Sequence, residues 1–71
     1  MQNKVISHLE GLGYSFVSFN AEESTQKVLR FNGEDSRGIY LEFQFTPEDG
    51  YLMDRAVGSK YWDILCKVEL K

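Results

Sequence analysis

The amino-acid sequence predicts an α+β fold in which one N-terminal helix packs on an antiparallel β-meander of four to five strands. Apolar residues recur at helical spacing within residues 3–13, and glycines end that pattern. The rest of the chain consists of short runs of alternating apolar and polar residues, separated by turn-forming residues. With 71 residues, the chain is expected to form one small domain over 1–71.

The helix is predicted from a stripe of apolar residues at positions i, i+1, i+4 and i+7, which are Val5, Ile6, Leu9 and Leu12. Gly11 and Gly13 follow the stripe, and glycine closes helices readily because it adopts the left-handed conformation at low cost. A phosphate-binding loop would instead precede a helix. The Gly-Leu-Gly sequence is therefore interpreted as a helix end.

Three strands are predicted at 14–20, 26–32 and 38–45. The third has the clearest alternation, with one face formed by Ile39, Leu41, Phe43 and Phe45 and the other by Tyr40, Glu42 and Gln44. The C-terminal stretch 61–71 alternates in the same way. It predicts a strand with one apolar row, which consists of Trp62, Ile64, Cys66, Val68 and Leu70.

Residues 46–60 allow two interpretations. A second helix at about 47–57 would begin with Pro47 at its first position and end at Gly58. Two hairpins are favoured, because Gly50 suits a left-handed turn position and would weaken a helix by about 1 kcal/mol.

The hairpin interpretation also fixes a register. A three-residue loop, 48–50, pairs Phe45 with Met53, and a two-residue turn, Gly58-Ser59, pairs Met53 with Ile64. Arg55 then lies over Trp62 as a cation–π pair, and Asp54 opposes Asp63 on the outer face. The predicted apolar face would include Val57 as well.

Composition argues against several classes of function. Eleven acidic and eight scattered basic residues give a net charge of −3, which disfavours nucleic acid as the main partner. No apolar run is long enough to cross a membrane. A single cysteine cannot form an internal disulfide, and the N-terminus lacks the apolar region of a signal peptide, so we expect a cytoplasmic protein.

No residue pattern indicates catalysis. Cys66 and His8 are the only residues of their types, and together they are too few for a zinc site. Cys66 lies in an apolar row, where it is expected to be buried and inert. We therefore expect a protein that is not an enzyme, without catalytic residues, metal or cofactor; a small thiol enzyme that uses Cys66 is an alternative.

Acidic pairs in two predicted turns form a candidate surface. The first and third connections of a meander lie at the same end of the sheet, which groups the side chains of Glu22, Glu23, Glu48 and Asp49. We call these four residues the acidic rim. A surface of this charge can steer a basic partner.

A second candidate surface follows from the size of the sheet. One helix of about ten residues is about 15 Å long, too short to cover five strands at about 4.8 Å spacing. An apolar strip is expected beside the helix, lined by Phe43, Phe45, Trp62 and Ile64 with Arg55 at its rim.

The expected function is a small non-catalytic protein-binding module, acting as a regulator, inhibitor or subunit of the kind found in bacteria and phages. Its partner would be another protein or a second copy of the chain. The alternative from another class is a single-stranded nucleic-acid-binding protein that uses tyrosines on the sheet, Tyr40 and Tyr61 with Tyr14 less securely placed.

Overall fold

The computed structural model describes residues 1–69 and contains one helix followed by five antiparallel strands. Helix α1 spans Gln2–Gly11, and the strands are β1 Ser15–Phe19, β2 Leu29–Glu34, β3 Tyr40–Thr46, β4 Tyr51–Ala56 and β5 Asp63–Lys67. The strands lie in the order β1-β2-β3-β4-β5, which is a simple meander. The predicted fold class is confirmed, and β4 occupies the segment for which a second helix was the alternative. Leu70, predicted in the last strand, lies outside the described residues.

The core lies between α1 and one face of the sheet, here called the helix side. Its fully or almost fully buried residues are Val5, Leu9, Phe31, Phe43, Phe45, Leu52 and Val68. Burial of each large apolar side chain contributes about 1.5–3 kcal/mol, so this set holds the helix on the sheet. Ile6 packs against the core as the helical spacing predicts, whereas Leu12 is half exposed at the end of the helix.

Both edge strands contain a β-bulge. Ser15 pairs with Glu34 and Ser18 with Asn32, so β1 has one extra residue opposite Gly33. In β5, Cys66 pairs with Leu52 but Ile64 pairs with Met53, which leaves Leu65 as the extra residue. A bulge bends its strand and increases the local twist.

The predicted register between β3 and β4 is wrong by one residue. Phe45 pairs with Leu52 rather than Met53, and Thr46 pairs with Tyr51 around a four-residue turn. The Gly50 N–H donates to the Thr46 C=O at 2.8 Å and closes this turn. The longer loop directs Leu52 to the helix side, where it is fully buried.

The predicted apolar row of the last strand is also wrong. Because of the bulge at Leu65, Cys66 and the following Val68 face the core while Ile64 and Trp62 lie on the opposite face. The pairing of Met53 with Ile64 is confirmed, but the connection before β5 is longer than the predicted two-residue turn and comprises residues 57–62. Outside the strands, Val57 and Ile39 are exposed rather than buried.

Candidate functional site

The sheet face opposite α1 has no element of the described chain packed over it, and it carries the candidate site. Strand alternation places Arg30 of β2, Glu42 of β3 and Arg55 of β4 on this face. The segment before β5 and the bulge add Trp62 and Ile64. We call these five residues the sheet platform.

Two guanidinium groups contact the Trp62 ring at the centre of the sheet platform. The Arg55 guanidinium carbon lies 4.2 Å from the ring centroid and that of Arg30 lies 4.9 Å from it. A cation over an aromatic face contributes about 0.5–2 kcal/mol, with the larger values at desolvated sites. The predicted contact between Arg55 and Trp62 is confirmed, but on the face away from the helix.

The two arginines differ in charge compensation. The Arg55 Nε–H donates to Glu42 Oε1 at 2.7 Å. The Arg55 side chain is about three-quarters buried and the Glu42 side chain about two-thirds buried. Within residues 1–69, Arg30 has neither an ion pair nor a side-chain hydrogen bond, and its Nε is buried without a partner. In the described part of the chain, the sheet platform therefore holds one cation neutralised by an ion pair and one without such a partner.

Exposed apolar and aromatic side chains surround this centre. Ile64 is 65% exposed. Tyr40 of β3 lies on the same face of the sheet and is also 65% exposed. Tyr61, next to Trp62 in the chain, is 79% exposed. The neighbouring Met53 is half-buried. The surface thus combines a fixed aromatic and cationic centre with accessible apolar groups.

Sequence reasoning identified Arg55, Trp62 and Ile64 as binding candidates but missed Arg30 and Glu42. The alternation of Leu29 and Phe31 would have placed Arg30 on the outer face. No pattern in the sequence indicates that Trp62, more than thirty positions later, reaches across the sheet to contact it.

The expected apolar strip beside the helix does not include Phe43 and Phe45. Both are 0% exposed beneath α1, so neither can line a surface. The physical reason is that residues at the margin complete the cover: Tyr14 packs edge-on against Phe43 with ring centroids 4.9 Å apart, and Leu65 and Cys66 pack beside the core.

The acidic rim lies where the topology predicts it. The connection from β1 to β2 and that from β3 to β4 occur at the same end of the meander. All four side chains of the rim are exposed. Its role in steering a basic partner stays a prediction.

Cys66 and His8 lie close together on the helix side. The Cys66 Sγ is 3.5 Å from His8 Nε2, and the cysteine is half-buried against the core. Burial raises the pKa of the Cys66 thiol, which favours the protonated thiol over the nucleophilic thiolate. A surface pocket of about 510 Å³ adjoins His8, but Cys66 does not line it. This arrangement suits a packed thiol in hydrogen-bonding contact with the imidazole.

Asp54 is a carboxylate of the sheet whose surroundings disfavour its charge. It pairs with Asp63 as predicted, but it lies on the helix side because it also pairs with Phe43. Burial, and secondly the charge of Asp63, raises the pKa of Asp54. Burial and the same Asp54 charge raise the pKa of Tyr14. Burial and the charge of Asp63 thus disfavour the ionised form of Asp54, and no ion pair within residues 1–69 compensates it.

Phe16 has a strained backbone at the bulge of β1. Its φ of 55° lies in the left-handed region, and its side chain is 80% exposed. A bulky residue seldom adopts this conformation, which costs an L-residue about 1–2 kcal/mol. The exposed ring recovers little of that cost by packing.

Comparison with protein-family models, with curated proteins and with solved structures found no significant match. Among residues 1–69, no helix has the length and apolar character needed to span a membrane. The same residues contain no group of three or more side chains arranged to hold a metal ion.

Proposed function

We propose that this protein is a small non-catalytic protein-binding module, a regulator, inhibitor or subunit, and that the sheet platform is its contact surface. The observation that supports the proposal is the contact of the Trp62 ring with two arginines on an uncovered sheet face. Tryptophan, tyrosine and arginine are the residues that most often dominate the binding energy of protein interfaces. Here the two arginines belong to strands β2 and β4 and the Trp62 ring is packed against both, and such preorganisation lowers the entropy lost on binding.

The partner is another protein or a second copy of this chain, and the free thiol of Cys66 suits a reducing compartment such as the cytoplasm. The raised pKa of that thiol supports a structural rather than a catalytic role.

Two matched variants test the contact surface. Ile64→Glu introduces a charge at an exposed apolar position of the sheet platform, and Leu12→Glu introduces the same charge at a half-exposed apolar position just after α1. Tagged wild-type protein and both variants would be used to capture proteins from a lysate of the source organism. Sedimentation velocity over a wide concentration range would measure self-association.

We expect one protein, or the chain itself, to associate with wild type and Leu12→Glu but not with Ile64→Glu. Binding that Leu12→Glu abolishes and Ile64→Glu retains would place the interface on the helix side. A strictly monomeric chain that captures no protein would contradict the proposal as a whole.

Single-stranded nucleic acid is the second candidate partner. The stacked Trp62 with its two arginines, beside the exposed Tyr40, resembles the aromatic and cationic surfaces on which unpaired bases stack. Asp54 lies on the helix side, which leaves fewer acids on the platform face than the sequence suggested. The net charge of −3 still opposes a phosphate backbone, so this function ranks second. Titration of Trp62 fluorescence with oligothymidylate at several salt concentrations tests it, and salt-dependent saturable binding would support it.

A further inference from the structure

We infer that Arg30 is a carboxylate-binding site, and that the partner recognised by the sheet platform presents an aspartate or glutamate to it. This inference rests on the proposed protein-binding function and adds the chemistry of the partner. Arginine suits this role because its planar guanidinium can donate two parallel hydrogen bonds to one carboxylate.

Both backbone polar groups of Arg30 are hydrogen-bonded. Its N–H donates to Ser24 Oγ at 2.8 Å, and its C=O accepts from the Asn20 N–H at 2.8 Å. The Ser24 hydroxyl itself donates to the Asn20 C=O at 2.7 Å. The loop before β2 thereby anchors the residue whose side chain reaches the sheet platform.

The side chain of Arg30 is held as well. Its Nε is buried, and its guanidinium carbon lies 4.9 Å from the centroid of the Trp62 ring. A guanidinium fixed in this way loses little rotamer entropy when a ligand binds, because its orientation is set beforehand. The site is preorganised for a planar anion.

The charge of Arg30, unpaired among residues 1–69, favours an anionic ligand. Glu42 is bonded to Arg55 at 2.7 Å, and no carboxylate of residues 1–69 forms an ion pair with Arg30. A partly desolvated cation without a counter-charge gains from an incoming anion, and the Trp62 ring beside Arg30 reduces the access of water to that pair. Ile64 lies three strands away in the same row of the sheet, where it offers an apolar contact to a flanking residue of the ligand. A single carboxylate within an apolar segment fits this arrangement.

A polyanion fits less well than one carboxylate. The chain carries a net charge of −3, and the four acids of the acidic rim lie at one end of the same sheet. A long phosphate backbone would meet that repulsion, whereas an acidic side chain of a protein requires only one matched charge.

A peptide titration tests the inference. The probe is an acetylated and amidated peptide in which leucine alternates with glutamate; its matched form contains glutamine instead, and oligothymidylate serves as the phosphate probe. Trp62 is the only tryptophan, so its fluorescence reports on the site directly. The NMR signal of the buried Arg30 Nε–H is the second readout. All titrations are made at one ionic strength.

Three variants separate local recognition from net charge. Arg30→Gln removes the cation, Arg30→Lys keeps the charge without the planar donor pair, and Arg37→Gln removes an exposed cation that pairs with Asp35 in another turn. We expect saturable binding of the glutamate peptide that weakens about tenfold with glutamine or with Arg30→Gln, and less with Arg30→Lys. Arg37→Gln should bind as wild type does.

Equal binding of the two peptides, equal losses for Arg30→Gln and Arg37→Gln, or no saturable change at Trp62 would overturn the inference. Tighter binding of oligothymidylate would do so in favour of nucleic acid. If the Arg30→Gln protein captures the same partner as wild type while Ile64→Glu does not, the carboxylate site is wrong and the protein-binding function stands.

Discussion

Replacement of Gly50 by alanine tests the turn that sets the register between β3 and β4. Gly50 has a φ of 78°. An alanine Cβ at this position would lie 2.9 Å from the C=O oxygen of Val68, which is closer than Cβ contacts in real proteins. The Val68 N–H donates to the Gly50 C=O at 2.8 Å. The two segments therefore cannot separate without weakening that hydrogen bond.

The magnitude follows from three contributions. A left-handed conformation costs alanine about 1–2 kcal/mol, and the lower entropy of the unfolded chain offsets about 0.4–1 kcal/mol of it. Weakening the hydrogen bond with Val68 costs about 0.5–1.5 kcal/mol more. We expect Gly50→Ala to lower the free energy of unfolding by about 2 kcal/mol.

Gly58→Ala is the matched control. Gly58 has a φ of 91°, but a Cβ there would meet no atom within 4 Å. Only the conformational contributions apply, so the expected loss is about 0.5–1 kcal/mol. Urea denaturation followed by far-UV circular dichroism can resolve the difference, because a chain of this length has a total stability of about 4–10 kcal/mol.

Two outcomes would refute this reasoning. Equal losses for Gly50→Ala and Gly58→Ala would mean that the contact with Val68 does not constrain the turn. A gain in stability for Gly50→Ala would contradict the left-handed turn itself, and it is the result that a helix at 47–57 would give.

Strain, charge and burial lead to four further predictions. Asp54→Asn should raise the free energy of unfolding at pH 7, and the gain should vanish as the pH falls through the raised pKa of folded Asp54 toward the unfolded value of about 3.9. Asp35→Asn should lower the free energy of unfolding at pH 7, because the hydrogen bond from the Ile39 N–H lowers the pKa of Asp35 and stabilises its ionised form in the fold. Denaturation at pH 7 and at pH 3 measures the effects of both aspartate variants. Native Cys66 should react slowly with a thiol reagent at pH 7 and rapidly only after unfolding, and fast native labelling would contradict its structural role. Phe16→Gly should stabilise the protein by about 0.5–1 kcal/mol while Phe16→Ala changes little, and a loss with glycine would show that the exposed ring packs on the fold.

The sequence was sufficient to predict the number and type of elements because each has its own local pattern. The helical stripe around Val5 and Leu9 and the alternation around Phe43 and Phe45 both depend on side chains a few residues apart. The left-handed turn at Gly50 is equally local. These patterns required no knowledge of which strand lies beside which.

The register of β4 could not be predicted because both alternatives bury one charged residue. With Met53 inside, Arg55 faces the core; with Leu52 inside, Asp54 does. The protein adopts the second arrangement, with Leu52 fully buried and the pKa of Asp54 raised. In this arrangement Leu52 packs in the core with residues distant in sequence, and an alternation pattern does not contain such contacts.

The bulge at Leu65 connects the failed prediction of the last strand with the candidate site. A regular β5 would have directed Trp62 and Ile64 to the helix side together with Cys66. That core is already filled by Phe43 and its neighbours, and an indole inserted there would overpack it. One extra residue turns the indole outward, where the two arginines hold it. Bulges change the direction of side chains at sheet edges and functional sites. The bulge that makes the predicted apolar row of the last strand wrong is therefore also the feature that builds the sheet platform.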